Sequence, residues 1–149
     1  MPTFMRSRPA GAMLTSAIVG LTLATAYIHF TLGGLLFTLN GLGYAGLAAL
    51  IVVGAAAPVA IVERFSWFPR IALVGYTAVT IAGYLVMGPF FTLGFIAKGI
   101  EVALIALLIV DIMRVYGSPL NLVRTAVASV VSLLPTRSAW CFARRSASW

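Results

Sequence analysis

The sequence predicts an all-α integral membrane fold: a four-transmembrane-helix bundle followed by a C-terminal interfacial amphipathic helix. Three observations carry that expectation. Of 149 residues, 62% are hydrophobic and 9% charged, which is too little polar surface for a water-soluble domain of this length. The apolar residues gather into four runs, each close to the roughly 20 residues a helix needs to cross a hydrocarbon core about 30 Å thick. The charges fall almost entirely at the ends of those runs.

Residues 1–9 are read as a basic cytoplasmic N-terminus carrying Arg6 and Arg8, and residues 10–116 hold the spans. The first span covers 10–30. Its Ala24-Thr25-Ala26 has the small-residue pattern of a secretory cleavage site. Apolar character continues through Tyr27, Ile28 and Phe30, however, so the run is read as a retained helix. Gly33 and Gly34 then break the chain, since a glycine pair ends a helix easily. The second span, 35–61, is rich in small residues (Gly41, Gly43, Ala45, Gly46, Ala48, Ala49). Such residues let helix backbones approach closely. Pro58 is expected to kink or end this run.

The loop from Glu63 to Arg70 is the most polar internal stretch, and Trp67 and Phe68 between arginines have the makeup of a membrane–water interface. The third span covers 71–87 and is stopped by Gly88-Pro89. After an uncharged aromatic connection, the fourth covers 96–113 and closes with Asp111 and Arg114. In residues 117–149, Leu120, Val123, Val127, Val130, Val131 and Leu134 recur at helical spacing, with Asn121, Arg124, Thr125, Ser129 and Ser132 on the other side. That segment is short for a span, and its two-sided pattern suits a helix lying in the membrane surface. The same pattern also fits a helix packed on a partner. The tail beyond Arg137 holds Trp140, Arg144, Arg145 and Trp149, a composition that adsorbs to anionic lipid.

Orientation follows from the arginines. Arg6 and Arg8 precede span one, Arg64 and Arg70 separate spans two and three, and Arg114, Arg124, Arg137, Arg144 and Arg145 follow span four. The other two connections have none. The positive-inside rule therefore places both termini in the cytoplasm, with the chain in a bacterial cytoplasmic (inner) membrane. The net charge of +7 serves lipid anchoring in this placement, through Arg64, Trp67, Arg70, Arg124, Arg144 and Arg145. No nucleic-acid partner is expected.

Few side chains can carry chemistry. Glu101 lies inside span four, where an ionisable group is costly unless paired. Lys98, three residues earlier, shares its helix face and can pair with it. The competing reading has Lys98 snorkelling outward while Glu101 faces the positive helix end. His29, the one histidine, is read as an interfacial residue with a hydrogen-bond partner. With helices alternating up and down, His29, Tyr27, Asn40, Lys98 and Glu101 meet in one polar pocket. Such a pocket could take a proton, hold a quinone head group, or ligate a metal or haem. A closed metal site needs more ligands than this, and two axial haem histidines need two copies of the chain. Asp111 is expected to pair with Arg114, and Tyr44, Tyr76, Tyr84 and Tyr116 to be belt or packing residues.

Cys141 is alone, so one chain can build neither a disulfide nor a thiolate metal site. No HExxH, G-x-S-x-G or phosphate-binding glycine loop is present. The expected function is therefore non-enzymatic: an accessory or assembly subunit of a larger membrane complex. Its partners would be membrane lipids and other membrane-protein subunits or further copies of itself. The alternatives are an oligomeric small-solute or proton-coupled transporter using Glu101, and a haem or quinone binder using His29. The sequence assigns no cofactor.

Overall fold

The computed structural model describes residues 8–57, 59–88 and 90–133. The expectations for Pro58, Leu134, Cys141, Arg144 and Arg145 lie outside them. Six helices follow in order: α1 (Arg8–Leu32), α2 (Leu35–Ala56), α3 (Ala60–Arg64), α4 (Trp67–Met87), α5 (Thr92–Tyr116) and α6 (Pro119–Val131). Among the described residues no strand occurs. Helices α1, α2, α4 and α5 are long and apolar enough to cross a membrane.

The second apolar run does not stay helical to residue 61. It ends at Ala56, and a separate five-residue helix, α3, follows. Ala57 (φ −98°, ψ 106°) and Val59 (φ −111°, ψ 129°) are extended; for Ala57 this is the conformation in which a residue before a proline clears its ring. Gly88 (φ −77°, ψ 140°) ends α4 in the same way ahead of Pro89. Both α4 and α5 begin four residues before the apolar runs they contain. Hydropathy marks where hydrocarbon begins, whereas a helix continues as long as its backbone ladder is satisfied.

The four long helices close into a ring: α1 packs on α2 and α5, and α4 packs on the same two. Each turns one stripe inward at the three- and four-residue spacing of a helix face. From α1 come Ile18, Thr22, Thr25, Ala26 and His29; from α2 Gly41, Tyr44, Ala48 and Ile51; from α4 Pro69, Leu73 and Thr77. From α5 come Ala97, Glu101, Leu104, Leu108 and Asp111. Large apolar side chains such as Leu35, Leu39, Leu85, Val86 and Val102 point outward. A surface of this kind is costly in water and suits lipid.

Two turns need left-handed backbone. Gly33 (φ 71°) and Gly34 (φ 80°) join α1 to α2, a conformation without steric cost only for glycine. Gly117 (φ 78°) ends α5, its N–H donating to the Met113 carbonyl at 3.0 Å. Ser118 then caps α6 by accepting from the Asn121 N–H at 3.2 Å, with Pro119 in the first turn.

Helix α6 packs on α5 and α4 through Leu122, Ala126 and Ser129. Ser129, expected on the polar side, is thus buried; its hydroxyl donates to the Thr125 carbonyl at 2.7 Å and its own carbonyl accepts from Arg64 at 3.1 Å. The small side chains at 126 and 129 permit that close approach. The expected apolar stripe Leu120, Val123, Val127 and Val130 is left facing outward.

Candidate functional site

The Gly33–Gly34 turn and the connection from α4 to α5 lie at one end of the bundle, and the arginine-bearing connections at the other. Each end has one buried acid on the inward stripe of α5. Glu101 and Asp111 are ten residues apart, about 15 Å along a helix. Between them sit Leu104 and Leu108, fully buried, with Ile18 of α1 and Leu73 of α4.

At the glycine end, Glu101 is 0% exposed. Its Oε2 accepts from Lys98 Nζ at 2.6 Å and from Thr80 Oγ1 at 3.1 Å. Thr80 has a single hydroxyl hydrogen. When it is given to Glu101, the 2.7 Å contact between Tyr44 and Thr80 has Tyr44 as donor, a chain that runs Tyr44, Thr80, Glu101. Lys98 Nζ also donates to the Thr80 carbonyl at 3.3 Å and stands 5.6 Å over the Tyr84 ring. The three-residue spacing brings Lys98 and Glu101 together; the register of α4 against α5 supplies Thr80.

His29 is 3% exposed, so its ring lies inside the bundle, in the last turn of α1. Its Nδ1 bonds the Thr25 carbonyl at 2.8 Å, and its Nε2 lies 3.9 Å from Glu101 Oε1. Its ring packs on Tyr44 at 5.4 Å and Phe37 at 6.3 Å. Asn40 does not reach Glu101. Its Oδ1 accepts from the Tyr76 hydroxyl at 2.7 Å, and the Tyr76 ring meets Tyr44 edge-on at 5.0 Å. Tyr27, expected in the same pocket, is 70% exposed, because position 27 falls on the outer face of α1, between inward-facing Ala26 and His29.

Part of this cluster, with Glu101 behind it, borders a cavity of about 310 Å³, near the lower bound for small-ligand sites, about 300 Å³. Its polar lining is His29, Asn40, Thr80, Tyr84 and Lys98, and its apolar wall includes Leu32, Leu36, Phe37, Val79, Met87 and Phe91. Thr25 Oγ1, Thr77 Oγ1 and Glu101 Oε1 are buried without a hydrogen-bond partner among the described residues. Thr25 and Thr77 were not expected at the site, nor were Tyr44 and Thr80 as members of a network. The signal was present: Thr22, Thr25 and His29, like Thr77 and Thr80, recur at inward spacing in otherwise apolar runs.

At the arginine end, Asp111 is 2% exposed and held by two guanidiniums, Arg70 Nε at 2.8 Å and Arg114 Nη2 at 2.9 Å. Arg70, expected to anchor lipid, also donates to the Ser66 carbonyl at 2.6 Å and lies over the Tyr116 ring. Arg64 is exposed yet bonds Ser129 and Ser132 of α6. Trp67 opens α4, half-buried, and Arg124 is exposed on α6. Gly11 lets Arg114 approach α1, since a Cβ there would sit 3.0 Å from the guanidinium carbon. Among the described residues no three His, Cys, Asp or Glu side chains gather as a metal ion needs.

Comparison with protein-family models, with curated proteins and with solved structures gives no match.

Proposed function

We propose that this chain is a membrane-embedded binding protein for a small amphipathic molecule, taken up in the cavity at the glycine end of the bundle. The observation that carries the reading is the pairing of an apolar wall with a buried polar end. Four helices contribute to that end, where the lining residues His29 and Lys98 meet the carboxylate of Glu101 behind them. Ionisable groups within membrane-spanning segments are rare and mark sites of function. A quinone head group is one member of this ligand class. Haem fits poorly, because the ring nitrogen of His29 not bonded to Thr25 faces Glu101, and the chain has no second histidine. A carrier would need Glu101 to be reached from both ends in turn; the layer of Ile18, Leu73, Leu104 and Leu108 beneath it speaks for a one-sided site.

In this reading the four long helices span a bacterial cytoplasmic membrane with both termini inside, as the arginine placement suggests. Photolabelling tests it. An alkyl-diazirine amphiphile should label peptides containing Leu36–Asn40, Val79–Tyr84 and Gly94–Lys98. Gly83→Phe, at a lining position with open space beside it, should remove that label. Even labelling of outward residues, α6 included, would refute the assignment.

A second reading, a subunit of a larger membrane assembly, draws on the outward stripe Leu120, Val123, Val127 and Val130. Recovery from native membranes in mild detergent with a stoichiometric partner would favour it; recovery as a lone species would count against it.

A further inference from the structure

We infer that the head group taken by this cavity is an anion, an amphipathic carboxylate, bound together with one proton shared by His29 and Glu101. The inference rests on reading the cavity as an amphipathic-ligand site and adds the charge of its occupant. A carbonyl oxygen can only accept, so the 2.8 Å contact with Thr25 fixes the hydrogen on His29 Nδ1. Nε2 is then the atom turned toward Glu101. On the other side, Oε2 is occupied by Lys98 and Thr80. Oε1 is buried, has no partner among the described residues, and lies 3.9 Å from Nε2.

At a separation of 3.9 Å the two atoms face each other as acceptors with no hydrogen between them, and each is short of a donor. One proton on either atom turns the contact into a donor facing an acceptor. Closing the gap by about 1 Å then makes a hydrogen bond. The proton belongs to the pair and not to either residue.

The charge of the loaded site follows. Facing the pair are Tyr44 and Asn40 from α2, Tyr76, Thr80 and Tyr84 from α4, and Lys98 beside Glu101 on α5. Among these Lys98 is the one cation. Glu63 and Asp111, the other acids, belong to the arginine end. With one proton on the His29–Glu101 pair, that pair is neutral and Lys98 leaves a net charge of +1. Lys98 both touches Glu101 and lines the cavity, its side chain 14% exposed. A carboxylate is the head group this charge and donor geometry match, and the apolar wall holds its tail. Loading is balanced: one carboxylate and one proton enter, the proton bonds to the pair, and nothing is oxidised or reduced.

Calorimetry of decanoate binding to the full chain in zwitterionic nanodiscs, in two buffers of different ionisation enthalpy, counts the protons taken up. The expected result is one proton per decanoate. Methyl decanoate should bind about tenfold more weakly or worse, the worth of one charge-assisted hydrogen bond. In Glu101→Gln, whose amide supplies Nε2 with a donor, proton uptake per bound decanoate should fall to zero whatever the affinity. Decanoate binding without proton uptake, or an ester that binds equally well, would overturn this inference and leave the amphipathic site standing. Binding of neither compound would overturn both.

Discussion

Replacing Lys98 by methionine should destabilise the bundle far more than replacing Glu101 by glutamine, although both break the same 2.6 Å ion pair. The asymmetry comes from burial. Glu101 is 0% exposed. In Lys98→Met its carboxylate keeps the Thr80 hydroxyl, an imperfect donor shared with the Thr77 carbonyl at 2.8 Å. An uncompensated buried charge of this kind costs about 3–5 kcal/mol. In Glu101→Gln the lysine is the survivor. Its side chain already borders the cavity, so the ammonium can turn toward a wetter environment while the stem stays packed. The introduced amide oxygen still accepts from Thr80. That loss should be about 1 kcal/mol, the net worth of one hydrogen bond. The double variant Lys98→Met/Glu101→Gln removes both charges and should recover most of the lysine variant's deficit, with a coupling energy of about 3 kcal/mol or more. Reversible unfolding in mixed micelles, followed by far-ultraviolet circular dichroism, measures all four corners of the cycle. Equal losses in the two single variants, or less than about 1 kcal/mol in Lys98→Met, would refute the claim that Glu101 sits in a dry interior.

Three further outcomes use the same unfolding assay. Gly41→Leu drives a side chain into the Phe30 ring, which a Cβ would already meet at 2.8 Å, and should cost about 1–3 kcal/mol by overpacking; Gly20→Leu, with open space at its Cβ, should not incur that overpacking loss. Leu104→Ala empties a fully buried position in the layer between the two acids and should cost about 2–5 kcal/mol. Arg70→Met leaves Asp111 with Arg114 alone and should cost about 1.5–3 kcal/mol, one charge-assisted hydrogen bond; adding Arg114→Met should raise the total above that range, because the carboxylate is then unpaired.

The four long helices were legible because hydropathy reports directly on the cost of placing a residue in hydrocarbon, and nothing in the short connections competes with that signal. Their ends were less so. Ala57 and Gly88 show why: a helix stops where proline chemistry or a glycine turn interrupts the ladder, not where apolar residues run out. Within the site, the Lys98–Glu101 pair could be read from spacing alone. The approach of His29 to Glu101 needed the further assumption that helices alternate in direction. Thr80 and Tyr44 could not be assigned, since they depend on how far α4 slides along α5 and α2, which a single sequence does not specify. Arg70 followed the same course. Its position at the foot of a span suggested lipid, but the carboxylate it holds lies on another helix, 41 residues away. Helix α6 showed a periodicity that was correctly helical yet left open which face would be covered. Packing went to the smaller side chains at Ala126 and Ser129, and the bulkier valines remained outside.

Because the chain has one histidine and two glutamates, Glu63 and Glu101, the meeting of His29 with Glu101 can be measured without ambiguity. Protein labelled with ¹⁵N-histidine and ¹³C-carboxyl glutamate, reconstituted in bilayers and studied by solid-state NMR, reports the ring tautomer and the distance from each ring nitrogen to a glutamate carboxyl carbon. The structure requires a hydrogen on Nδ1 and a strong coupling from Nε2, in keeping with its 3.9 Å separation from Oε1; Glu63, in α3 at the other end of the bundle, cannot supply one. An Nε2 with no coupling to any glutamate carboxyl, or a ring whose Nδ1 is bare, would contradict the account at its centre.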